Sequence, residues 1–183
     1  MRTEIIMAGS GGQGVQFAGQ NLARAALAQG LKATYVPSYS AERRGGPSFC
    51  SVVVADRPIY TPVFTRPDVL LAFDRRGRNQ YADQVKPGGL IVSNQDLAPD
   101  AAPGESAPVL SVPASTLAEG LGRRDAMNLV LLGAYLARSG LVALERSRDT
   151  LRESAGRKKP ELLEGNLEAL ARGAAFAAQE AKT

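Results

Sequence analysis

A short isoleucine-containing run that breaks at once into clustered glycines, EIIMAGSGGQG at residues 4–14, constrains the fold of this chain more than any other feature. A brief apolar run of this kind reads as a strand buried on both faces. Glycines directly after it permit a turn too tight for residues that carry a Cβ. From Gly14 onward Val15, Ala18, Leu22, Ala25, Ala26 and Leu27 recur at helical spacing, and Gly30 stands where a helix C-cap belongs. Residues 31–36 read as a second strand stopped by Pro37. Strand, turn, helix and strand make a βαβ unit, which places the chain in the α/β class.

The stretch PSYSAERRGGP, residues 37–47, is polar, punctuated by glycine and proline, and reads as a loop. Residues 48–55, SFCSVVVA, are β-branched, and with residues 59–63 they suggest a hairpin added at a sheet edge, a position that Pro58 and Pro62 favour. DVLLAFD, residues 68–74, reads as a central strand, residues 77–85 as a helix, and LIVSN, residues 90–94, as the next strand. A surface loop over 98–107 precedes a short strand at 109–112. Helices are expected over 114–121, 128–138, 144–155 and 159–178. A length of 183 residues with 44% hydrophobic content suits one domain over 1–183. The expected architecture is a doubly wound, mostly parallel, Rossmann-like sheet with an added edge hairpin and C-terminal helices.

Composition closes several functional classes. The single cysteine, Cys50, forms no intramolecular disulfide and cannot alone hold an iron–sulfur cluster, which takes about four thiolates. It sits in a strand pattern and reads as a buried, inert thiol. The absence of histidine removes Ser-His-Asp and Cys-His catalysis and the imidazole zinc sites, so no metal site is expected. A net charge of +4, with few aromatics and none interleaved with basic residues, argues against nucleic acid as a partner. The longest apolar stretch, residues 129–137, falls far short of the roughly 20 residues of a membrane span. The acid in Met1-Arg2-Thr3-Glu4 and the early glycines do not resemble a secretory leader, and a cytoplasmic protein is expected.

Gly9, Gly11 and Gly14 fit G-x-G-x-x-G between a strand and a helix, where backbone N–H groups and the helix dipole can receive an anion. The dinucleotide form of this motif also needs an acid roughly 20 positions onward at the end of the second strand. That end reads Thr34-Tyr35-Val36-Pro37, and Glu42 follows only after a proline and a loop, although Arg43 or Arg44 could meet a 2′-phosphate. Two readings stand on these residues: a stand-alone NAD(P)-binding enzyme, or a glycine turn required only for tight strand-to-helix packing. The loop over 38–47 is either a solvated turn or a site where planar guanidinium groups receive phosphate or carboxylate. Asp74 ends a central strand on the same edge and is expected to face the glycine loop, with Lys86 and Asp96 near later turns.

The runs GSGGQGVQFAGQNLARAA, PSYSAERRGGPSFCSVVVADRPI, DVLLAFD and NLVLLGAYLARSGLV, followed by GRKKPELLEGNLEAL, resemble in order the gamma subunit of 2-oxoacid:ferredoxin (acceptor) oxidoreductases. The resemblance covers about residues 5–171. It implies a complex that oxidatively decarboxylates a 2-oxoacid, forms the acyl thioester of coenzyme A and reduces ferredoxin. Thiamine diphosphate and the iron–sulfur clusters would then belong to other subunits, and the partners would be the alpha and beta subunits, with a delta subunit as a further candidate. This chain would bind no cofactor alone, contribute no catalytic residue, be inactive in isolation, and dock beside the thiamine and coenzyme A sites; a pure assembly scaffold is the other role. The positions carried over are Gly9, Gly11, Gly12, Gln13 and Gly14 in the first loop, and Ser38, Tyr39, Glu42, Arg43, Arg44, Gly45 and Gly46 in the second. Ser40 departs from the family, whose loop commonly has glycine there; at a positive φ this would cost about 1 kcal/mol. A short gamma chain is more similar to the 2-oxoglutarate or branched-chain subtypes than to the fused pyruvate enzymes, which favours 2-oxoglutarate.

Overall fold

The computed structural model describes residues 1–39, 45–158 and 160–181. Its strands are β1 (Arg2–Ser10), β2 (Lys32–Tyr39), β3 (Pro47–Ala55), β4 (Val69–Ala72), β5 (Leu90–Asn94) and β6 (Val109–Val112). They form one mixed sheet in the order β2-β3-β1-β4-β5-β6. β1, β4, β5 and β6 run parallel, whereas β3 is antiparallel to both β1 and β2. The flanking helices are α1 (Val15–Ala28), α2 (Arg75–Tyr81), α3 (Ala114–Glu119), α4 (Met127–Ser139), α5 (Leu144–Lys158) and α6 (Leu163–Glu180). Among the described residues, no helix is long and apolar enough to cross a membrane.

Side chains on β1 alternate between two cores, as the pleat of a strand requires. Ile5 and Met7 join Leu22 of α1, Val130 of α4 and Leu170 of α6 in the larger core. Ile6 and Ala8 join Tyr81 of α2 and the following Ala82 and Val85 in the smaller one. Helices α4 and α6 cross closely over the larger core. A Cβ on Gly133 would strike the Leu170 carbonyl, and one on Gly173 would strike the Val130 carbonyl.

The α/β class, the parallel strands and the unit of β1, α1 and β2 follow the sequence expectation, since β1 and β2 run parallel, but the place of the edge hairpin does not. β1 and β2 are not neighbours, because β3 lies between them. The reason is the two-sided apolarity of β3: Cys50, Val52 and Val54 face the larger core, while Val53 and Ala55 on the opposite face are also buried. A strand buried on both faces belongs in a sheet interior. The edge falls to β2, which continues through Pro37 instead of stopping there, pairing it with Cys50. Proline brings no N–H to the ladder and is tolerated where one side of the strand has no partner. The edge hairpin therefore consists of β2 and β3. Residues 59–63 form no strand; Arg2 Nη2 donates to the Thr61 carbonyl at 2.9 Å, and Phe64 packs against the smaller core. Helix α2 begins at Arg75, earlier than expected, because Asp74 caps it by accepting from the Gly77 N–H at 2.9 Å.

Candidate functional site

The helices after β1 and β4 leave on opposite faces of the sheet, α1 into the larger core and α2 into the smaller. Adjacent parallel strands whose connections diverge in this way open a crevice at their carboxyl ends, where open α/β sheets gather ligands. The glycine turn sits on this crevice. Gly12 and Gly14 adopt φ of 95° and 76°, a region other residues enter only with strain. Gly14 also lies against Asn128 of α4, whose Nδ2 donates to the Gly14 carbonyl at 3.1 Å, so a Cβ there would collide with the amide. Gly9 has a different role, since a Cβ would meet the Gln13 amide and, at 2.7 Å, the Phe73 Cβ.

The turn spends polar groups on the chain itself. The Ser10 N–H donates to Gln13 Oε1 at 2.8 Å, and the Gln13 N–H donates to the Ser10 carbonyl at 3.2 Å. Ser10 Oγ donates at 2.6 Å to Asp74 Oδ2 across the ends of β1 and β4, while Asp74 Oδ1 caps α2. Asp74 thus faces the glycine turn as expected and puts a carboxylate at the switch point, where it repels the phosphates of a dinucleotide. Helix α1 starts without a side-chain cap or an acid in its first turn.

The second loop comes back to the first. The Gly11 N–H donates to the Gly46 carbonyl at 2.8 Å, and Arg76 Nη1 donates to the Gly45 carbonyl at 3.3 Å. Gly9, Gly11, Gly12, Gln13, Gly14, Gly45 and Gly46 therefore share one edge, reached because the β2–β3 hairpin turns beside the end of β1. Ser38 and Tyr39 fall at the end of β2 and not in a loop, since the strand runs through Pro37. Ser40, Glu42, Arg43 and Arg44 lie outside the described residues.

Gln16, Arg76 and Asn128 are contacts that sequence reasoning missed. Gln16 was hidden because it is a polar residue on a helix, and its reach to β2 and β3 depends on the unforeseen strand order. Arg76 follows the Asp74 cap by two residues, and that cap signal could have marked it. Cys50 is fully buried against the Val15 carbonyl, and burial pushes its thiol up to about 12, so it is inert as a nucleophile.

Two ion clusters lie outside the site. Arg78 holds Glu105 by two bonds of 2.8 Å and also donates to the Ala98 carbonyl at 2.7 Å, tying the 98–107 segment to α2. The pair is almost fully buried, and hydrogen bonds from Arg78 hold the Glu105 carboxyl below its usual range. On the opposite edge of the sheet Lys86 contacts Glu4 and Asp68, both at 2.8 Å. Among the described residues no three potential metal-ligand side chains of His, Cys, Asp or Glu come together.

The pyruvate ferredoxin/flavodoxin oxidoreductase family pattern matches residues 4–176. The chain is 35% identical over 178 residues to ketoisovalerate oxidoreductase subunit VorA of Methanothermobacter thermautotrophicus, covering 94% of this chain and 36% of that protein. It thus spans about a third of that relative's length. The gamma subunit of a keto/oxoacid ferredoxin oxidoreductase from Geobacter sulfurreducens PCA superimposes with a TM-score of 0.84 at 30% identity over 98% of both chains. The 2-oxoglutarate:ferredoxin oxidoreductase of Magnetococcus marinus, solved with 2-oxoglutarate, coenzyme A and succinyl-CoA bound, gives a TM-score of 0.87 at 29% identity over 97% of this chain and 31% of that one.

Proposed function

The chain belongs to the pyruvate ferredoxin/flavodoxin oxidoreductase family, and from that membership we propose that it is the gamma subunit of a 2-oxoacid:ferredoxin oxidoreductase. Acting as one domain over residues 1–183 in the cytoplasm, it docks on the thiamine-diphosphate-bearing alpha and beta subunits, with delta as a further candidate. Its paired loops shape the coenzyme A end of the active site. The redox groups lie elsewhere, because one fully buried cysteine is not a donor set for an iron–sulfur cluster. The observation that carries this reading is the bond from Gly11 to Gly46 beside the Ser10–Asp74 contact. A turn committed to its own chain and facing a carboxylate suits a shaped wall better than a dinucleotide cradle. Substrate choice is placed in the other subunits, with 2-oxoglutarate tested ahead of pyruvate and branched-chain 2-oxoacids.

Co-expression with alpha and beta subunits is expected to give CoA-dependent 2-oxoacid oxidation with ferredoxin as acceptor, and the isolated chain none. Calorimetry on the free chain is expected to register no tight binding of NADH or NADPH. Tight pyridine nucleotide binding, or robust turnover by the chain alone, overturns the proposal in favour of an independent NAD(P) enzyme. In the assembled complex, Arg43→Ala with Arg44→Ala is expected to raise the KM for coenzyme A, whereas unchanged kinetics would leave a pure scaffold.

A further inference from the structure

Two prolines flank the root of the second loop. Pro37 near the end of β2 and Pro47 at the start of β3 bring no N–H to the ladder. A further donor arrives from the side, from one residue of α1. Gln16 Nε2 lies 3.1 Å from the Ser38 carbonyl and 2.9 Å from the Phe49 carbonyl, with Ser48 Oγ at 3.2 Å. Ser38 and Phe49 are direct cross-strand partners, so one amide bridges the two strands at the mouth of the loop.

The orientation of that amide is fixed by its other end. Gln20 Nε2 donates to Tyr35 Oη at 3.4 Å, and Tyr35 Oη donates to Gln16 Oε1 at 2.7 Å. The hydrogen bonds run in one direction, each polarising the next, and they aim the Gln16 N–H groups at the two strands. Gly19, one turn along the same helix face, allows the close approach, since a Cβ there would strike Cys50 Sγ and lie 3.2 Å from the Tyr35 ring. Because α1 also continues directly from the glycine turn, the residue that grips the second loop belongs to the helix that carries the first.

We propose that Gln16 is the positioning residue that keeps the Gly45–Gly46 end of the β2–β3 connection seated on the glycine turn, and through that seating sets the affinity of the assembled enzyme for coenzyme A. The kinetic half rests on the functional reading above, while the seating half concerns this chain alone. Gln16 touches no reacting atom; it acts through Ser38, Phe49 and the Gly11–Gly46 bond. Leucine at this position keeps the approximate size but leaves the carbonyls of Ser38 and Phe49 without this donor.

Amide exchange on the isolated chain tests the seating. In Gln16→Leu the Gly11 N–H, bonded to the Gly46 carbonyl in the wild type, is expected to exchange about tenfold faster, with Val52 in the middle of β3 unchanged. Tyr35→Phe, which keeps the ring and removes only the orienting hydroxyl, is expected to give about threefold and serves if the first variant does not fold. Unchanged Gly11 exchange in the folded variants overturns the seating role. In the reconstituted complex Gln16→Leu is expected to raise the KM for coenzyme A about tenfold while kcat stays within about twofold. Faster Gly11 exchange with an unchanged KM leaves the seating intact and overturns its link to coenzyme A. A wild-type chain that forms no complex with alpha and beta subunits overturns the functional reading, and the exchange result still decides the seating.

Discussion

The parallel half of the sheet, β1, β4, β5 and β6, and the antiparallel wing, β2 and β3, meet at β1 but are held in different ways. Strands β4, β5 and β6 are short, and β4 is buried along its whole length; helices cover both faces of this half, and its neighbours in space follow chain order after β1. The wing has an exposed edge and prolines in its strands, and it leans on one helix through polar contacts from Gln16. Helices thus clamp the parallel half from both sides, whereas in the wing β3 is held by burial and the outer strand β2 also by directed hydrogen bonds. The candidate site lies on the seam between them, where a glycine turn from one meets a loop from the other.

Breaking the parallel half should cost most. Arg78→Met leaves Glu105 buried without its partner and is expected to lower stability by about 3–5 kcal/mol, read from the urea midpoint. Because Arg78 lowers the folded pKa of Glu105, the pair contributes stability above the unfolded carboxyl pKa of about 4.3, and that contribution is lost as pH falls through the folded value. Glu105→Gln should therefore flatten the acid limb of a Tm-against-pH curve, and an unchanged limb would remove this pair from the account.

Next in size is Gly173→Ala at the α4–α6 crossing, where the added methyl meets the Val130 carbonyl. It is expected to cost about 1–3 kcal/mol without moving the kinetics of the assembled complex. The smallest effects come from the seam and separate Gly12 from Gly14. Gly12 has open space around its missing Cβ, so Gly12→Ala should cost about 1–2 kcal/mol from its positive φ alone. Gly14→Ala adds the collision with Asn128 and should cost more than Gly12→Ala; equal losses by calorimetry would show that Asn128 yields freely.

Much of this was legible in the residues. LIVSN and VLSV sit in strands at the expected places, and the start of the helix after the glycine turn is set by a spacing that survives any strand order. The carboxyl-edge position of both loops was likewise readable, and so was the approach of Asp74 to the turn. The strand order of the wing was not. A local pattern reports whether a strand is apolar on one face or two, but Val53 and Ala55 acquire their cover only from the rest of the sheet. The weight given to Pro58 and Pro62 put the edge on the wrong segment, while Pro37 marked the true edge strand.

By itself the sequence determined the α/β class, the glycine turn and the lack of histidine or a cysteine cluster, because periodicity, φ preference and ligand chemistry are properties of residues and short windows. Only the tertiary structure decided that β3 separates β1 from β2, that Gly11 bonds to Gly46, and that Gln16 reaches Ser38 and Phe49. Those contacts join residues far apart in the chain. Whether they form depends on how the whole sheet buries its apolar faces, which no short stretch of sequence specifies alone.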